Sequence, residues 1–225
     1  MTLSPFVPHR HGFHFPNCFV NTLVLGPLKF VSSGRCGGMS YVSLDYYFGE
    51  EVIPDWTDLP ERGTIVGEYI IRRQVHSLLN QLPGFANGMA NPFGWRSRAL
   101  FQRCLPGGWM FDRLRRVIDR GKPVPIGLVA PKVGLADTHH QAVAVGYDVQ
   151  GLDPESFRLY FYDPNHPNDT VTMIPDLAAG EFRTELPDGS PSRPWRTFFV
   201  DSRYRPVKVP REAVTLSPWL TAFLR

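Results

Sequence analysis

One feature limits the fold of this chain more than any other: its apolar residues change period near residue 121. Before that point they recur at helical spacing, and after it they fall into short β-branched and aromatic runs. "GGMSYVSLDYYF" (37–48) predicts a helix closed by Gly49. "GEYIIRRQVHSLLNQL" (67–82) predicts a second, with Ile70, Ile71, Val75, Leu78, Leu79 and Leu82 as its apolar face, and "WMFDRLRRVIDRG" (109–121) a third. Between them, residues 50–63 read as a Pro-broken connection and "PGFANGMANPFGW" (83–95) as a long turn-rich loop. The first thirty residues read as an irregular arm leading to a short apolar segment. The runs "KPVPIGLVA", "HHQAVAVGYD", "FRLYFYDP", "TVTMI" and "RTFFVD" then predict strands, separated by Gly, Pro, Asp and Asn. Helices followed by strands predict an α+β fold with an antiparallel sheet. One domain, 1–225, is expected, mainly helical over 1–120 and mainly strand over 121–225.

Several function classes fall away on composition. The net charge of +3 is small, and the basic cluster at 113–122 shares its helix with Phe111, Leu114, Val117 and Ile118. It reads as a solvated helix face, and no nucleic-acid partner is expected. No stretch reaches the ~18 apolar residues of a membrane span, and the N-terminus lacks a basic region followed by an apolar one. The expected location is cytoplasmic, or exported without a recognisable signal peptide, with the oligomeric state left open. Three cysteines, Cys18, Cys36 and Cys104, are too few and too uneven for a disulfide framework or a structural zinc site.

The chemistry points to "GRCGGMSYVSLDYY" (34–47), which places Cys36 where a loop gives way to a helix. A helix start gathers open N–H groups and partial positive charge, and both favour thiolate. Gly37 and Gly38 would let a substrate carbonyl approach the Cys36 N–H, half of an oxyanion hole. A small buried residue is the alternative reading of Cys36. In "HHQAVAVGYD" the alternation sets His140, Ala142, Ala144 and Gly146 on one face, small enough for a cysteine-bearing helix to pack there. If that run forms a hairpin with "FRLYFYDPN", Tyr147 pairs near Phe157 and His140 comes opposite Asp163 and Pro164. A carboxylate there orients an imidazole, as the third member of a triad does; a turn cap is the alternative for Asp163.

With Cys36, His140 and Asp163 in that order, the chain resembles the papain-like cysteine peptidase superfamily. "GRCGGMSYVSLDYY" is similar to its cysteine-bearing helix start, and "HHQAVAVGYD" to its histidine strand, where His140 rather than His139 takes the catalytic place. "YFYDPNHP" resembles the bacteriocin-processing branch, whose third residue is an Asp before Pro. The resemblance covers residues 34–48 and 121–168 and implies a helical portion carrying Cys36 and an antiparallel sheet carrying His140 and Asp163. It implies a hydrolase, peptidase or amidase, that forms a thioester with a peptide, protein or other amide-bearing substrate and needs no cofactor. A protein-glutamine deamidase, an acyltransferase and an inactive peptide- or ligand-binding module are the alternatives. Such enzymes carry a Gln about six residues before the nucleophile, where this chain has Phe30. Asn17 or Asn21 is the expected replacement donor, with Ser32 and Ser33 behind them. His139 and Trp95, in the loop 87–95, are expected near the substrate cleft.

Four other signals carry less. His9, His11 and His14 are close together, but no acid or cysteine nearby has ligand spacing, so no metal is expected. His76 reads as an ordinary helix residue and Cys104 as a buried or free thiol. Cys18 is a weaker nucleophile candidate because no helix starts there.

Overall fold

In the computed structural model the elements run β1 (Thr2–Leu3), α1 (Pro8–His11), β2 (Val20–Leu25), β3 (Leu28–Ser33), α2 (Cys36–Phe48), α3 (Ile65–Met89), α4 (Ser97–Gln102) and α5 (Trp109–Ile118). They continue with β4 (Val124–Val129), β5 (His140–Asp148), β6 (Arg158–Tyr162), β7 (Thr170–Asp176), β8 (Glu181–Glu185) and β9 (Thr197–Val200). The structure describes residues 1–25, 28–131, 139–186, 188–189 and 193–211, and not the side chains of 21–25, 28–33 and 92. The fold is α+β. Among the described residues one antiparallel sheet runs β8-β7-β6-β5-β4-β9, with β1 paired to β5 as a seventh strand. The sheet curls until its ends meet: Phe182 and Trp195 exchange two backbone hydrogen bonds of 2.8 Å. No described helix is long and apolar enough to cross a membrane.

Helix α2 opens at Cys36 and stops at Gly49, as its pattern predicts. Helix α3 departs from expectation twice. It continues through Pro83 to Met89, over residues predicted as loop. Pro83 lacks the N–H that would reach the Leu79 carbonyl, and both residues lie on the exposed side of the helix. Beyond Pro83, packing holds the helix: a Cβ at Gly84 would come within 2.4 Å of the Phe199 ring, and one at Gly88 within 2.7 Å of Val129. The apolar face is also different. Ile70 and Ile71 are buried, whereas Leu78, Leu79 and Leu82 are 48%, 64% and 60% exposed, and Arg73, Ser77 and Gln81 are buried instead. This polar face meets the glycines of α2, and Gln74 Oε1 accepts the Gly38 N–H at 2.7 Å.

The N-terminal arm is more regular than expected, since β2 and β3 form a hairpin. Strand β8 was not anticipated because "EFRTE" carries a single apolar residue, Phe182, which is fully buried. Strand β5 is covered on both faces. Ala142, Ala144 and Tyr147 join the core with Phe111, Leu114 and Ile118 of α5, while Val143 and Val145 pack with Tyr41 and Leu44 of α2. The cysteine-bearing helix therefore lies on the valine face, not on the alanine face predicted for it. Leu44 and Tyr41 need the depth of the valine rows, and the alanines leave room for the aromatic rings under α5.

A buried ion pair joins α2, α3 and the chain after β9. Asp45 is fully buried and pairs with Arg73 Nε at 2.7 Å. It also accepts the hydroxyls of Tyr69 and Tyr204, each at 2.8 Å, and the Val207 N–H at 3.1 Å. Asp45→Asn leaves Arg73 buried without its counter-charge, and we expect a loss of ~3–5 kcal/mol, read from the urea midpoint. A midpoint within experimental error of the parent would show that the pair contributes nothing.

Candidate active site

The β5–β6 register brings His140 and Asp163 together. Tyr147 pairs with Leu159 and Val143 with Tyr162, with a bulge between Ala144 and Gly146. The pairing sits two residues from the predicted register at Tyr147, and the bulge removes one of them. Extended past Tyr162, it sets Asp163 across from Ala142, diagonal to His140 on the same face. His140 Nε2 donates to Asp163 Oδ1 at 2.6 Å, and both residues are buried. The Cys36 side chain acts on the same imidazole by charge and hydrogen bonding. Because His140 opens its strand, its ring meets the start of α2 while the body of the helix lies over Val143 and Val145.

Charge binds this group together. Burial pulls the His140 imidazole down, but Asp163 and then Cys36, by charge and hydrogen bond, outweigh it and leave it pushed up to about 10. Burial pushes the Asp163 carboxyl up, but the His140 charge and hydrogen bond and the Asn165 N–H hold it below the ordinary carboxylate value. Oδ1 also accepts that N–H at 2.8 Å, an Asx turn that fixes the carboxylate.

Asn17 acts as a brace. Its Oδ1 accepts the Arg35 N–H at 2.5 Å, and its Nδ2 donates to Asn165 Oδ1 at 3.1 Å. It thus ties the residue before Cys36 to the turn after Asp163, with its amide engaged at both ends. Gly34, at φ +81°, makes room for it, since a Cβ there would come within 2.6 Å of Asn17 Nδ2. The side chains of Asn21, Phe30, Ser32 and Ser33 lie outside the described residues.

Gly37 and Gly38 face inward rather than toward a cleft. A Cβ on Gly37 would meet Ser77 Oγ at 2.1 Å and Gln141 Oε1 at 2.2 Å, and one on Gly38 the Ile70 carbonyl at 2.3 Å. They are small because α2 packs closely on α3 and β5. At the start of α2 the Gly38 N–H goes to Gln74 and the Met39 N–H to Arg35. Among the described residues the N–H groups of Cys36 and Gly37 have no partner.

His139 turns away from His140, as alternation requires. Its Nδ1 accepts the Ala130 N–H at 3.2 Å, and its ring lies 5.6 Å from Phe85. Trp95 is 79% exposed beside Phe93. The tryptophan that stacks on His140 is Trp195, with centroids 6.2 Å apart and planes at 21°. Sequence reasoning missed it, although its place just before "RTFFVD" marks it as a strand-entry residue. Cys18 is exposed, and Cys104 is buried against Thr197 and the Phe198 carbonyl. Among the described residues no group of three or more His, Cys, Asp or Glu side chains is arranged to hold a metal. His11 Nδ1 accepts the Val7 N–H, and His14 Nδ1 bonds Asn168 Oδ1.

Comparison with known proteins returns no match: no family model, no curated protein and no solved structure is similar to this chain.

The sign of the pH dependence follows from His140, which holds its proton more tightly folded than unfolded. Its contribution is complete below its ordinary value of 6.5 and is lost as pH rises from there to about 10. In urea denaturation over that range, the stability difference between the parent and His140→Gln should shrink with rising pH. A difference that stays constant would contradict the raised value.

Proposed function

We propose that the chain is a papain-like cysteine hydrolase acting on an amide or ester carbonyl of a peptide or protein. The observation that carries this reading is that one buried imidazole is hydrogen-bonded both to Asp163, at 2.6 Å, and to a cysteine at the first position of a helix. In the proposed reaction His140 takes the Cys36 proton and the sulfur attacks the carbonyl carbon. The open N–H groups at the start of α2 bind the oxygen as it gains charge. His140 then gives the proton to the departing amine or alcohol, leaving a thioester. Water attacks the thioester with His140 as base, and release of the acid restores the thiol. Asp163 keeps the ring in one tautomer and stabilises it while charged. An amine in place of water makes the same residues an acyltransferase, and a glutamine side chain as substrate makes them a deamidase.

Cysteine reactivity tests this reading. Iodoacetamide should modify Cys36 well ahead of exposed Cys18, while buried Cys104 stays unmodified, and His140→Ala should slow Cys36 at least about tenfold. On a peptide library, Cys36→Ala should abolish cleavage, and Asp163→Asn should reduce it by ~10³-fold or more. Equal modification of Cys18 and Cys36 in the parent, unchanged by His140→Ala, would overturn the assignment.

A further inference from the structure

A second site lies between α3, the start of α5 and the end of β9, and it rests on nothing assigned to Cys36. A cavity of about 240 Å³ is lined there by Arg103, Arg113, Arg203, Trp109, Asn80 and Asp201. Arg103 is only 8% exposed. Its Nε donates to Thr197 Oγ1 at 3.2 Å and its Nη1 to Asn87 Oδ1 at 3.0 Å. Its Nη2 is buried with no hydrogen-bond partner, although the guanidinium also meets the Cys104 thiol, and among the described residues no carboxylate pairs with it. The group lies 5.4 Å from the centre of the Trp109 ring, and Arg113 approaches the same ring at 5.9 Å.

The acid in the wall is already engaged. Asp201 accepts the Tyr41 hydroxyl and the N–H groups of Arg203 and Tyr204. Three arginines thus line a cavity whose one carboxylate is occupied, and a buried cation without a counter-charge is costly unless something anionic joins it. The Arg103 carbonyl accepts the Met110 and Phe111 N–H groups at 2.9 and 3.3 Å, so side chains rather than the helix start form the site. Arginine forks match the oxygens of a phosphoryl group, and three of them offer more donors than the two oxygens of a carboxylate accept.

We propose that this cavity binds a phosphoryl group, as inorganic phosphate or a small phosphate monoester. Arg103 is the buried cation, and exposed Arg113 and Arg203 close on the anion from the rim. Calorimetric titration of the full chain with inorganic phosphate and with glycerol phosphate tests this, using sodium acetate at equal ionic strength as control. Saturable binding of phosphate and not acetate is expected, and the tighter of the two phosphates identifies the source. Arg113→Gln with Arg203→Gln, both at exposed positions, should weaken binding about tenfold. Arg103→Lys, which keeps the charge and loses the fork, should do at least as much. Heat that never saturates, acetate binding as well as phosphate, or an affinity unchanged by these variants would overturn the proposal.

Discussion

The Asp45–Arg73 pair is the constraint on which the rest of the architecture depends. A carboxylate removed from water must be matched by charge and hydrogen bonds, and Asp45 has a guanidinium, two tyrosine hydroxyls and a backbone N–H. Those partners come from α3 and from the chain after β9, so α2 cannot shift without stranding all of them. Arg73 also lies 4.6 Å from the centre of the Tyr41 ring, and Tyr41 bonds Asp201 at the end of β9. The helix that begins at Cys36 is thereby fixed to the sheet that carries His140.

Closure of the sheet supplies the other half of that arrangement. The Phe182–Trp195 bridge joins its far ends, so Trp195 arrives over His140 although β8 and β5 are not neighbours. Trp195 donates its ring N–H to Thr184 Oγ1 at 2.9 Å, which fixes its plane. An apolar ring beside the His140–Asp163 pair limits water there and strengthens the attraction between the two.

How much of this was legible in the sequence varies with the kind of signal. The α+β class and the limits of α2 follow from periodicity and from Gly49, because both are local. The approach of His140 to Asp163 was legible to within two residues, because hairpin pairing needs only a count along two strands. The bulge between Ala144 and Gly146 was not, since nothing in the alternation of β5 marks it. The polar inner face of α3 was hidden for a related reason: Ser77 is buried and Gln74 half-buried against the glycines of α2, which no window on α3 contains. Asn17 stood out as an amide near Cys36, but its place as a brace depends on Gly34 and on the turn after Asp163. Strand β8 escaped because only one of its two buried residues, Phe182, is apolar, the other being Thr184.

The brace and the ring over the histidine also set an order of events during synthesis. Asn17 and Cys36 emerge early, His140 and Asp163 more than a hundred residues later, and Trp195 after those. At ~5–20 residues per second, Cys36 spends several seconds or more on the ribosome before its imidazole exists. Through that interval it is an ordinary thiol among nascent chains. The cluster of Cys36, His140, Asp163 and Trp195 can therefore assemble only after Trp195 has been made.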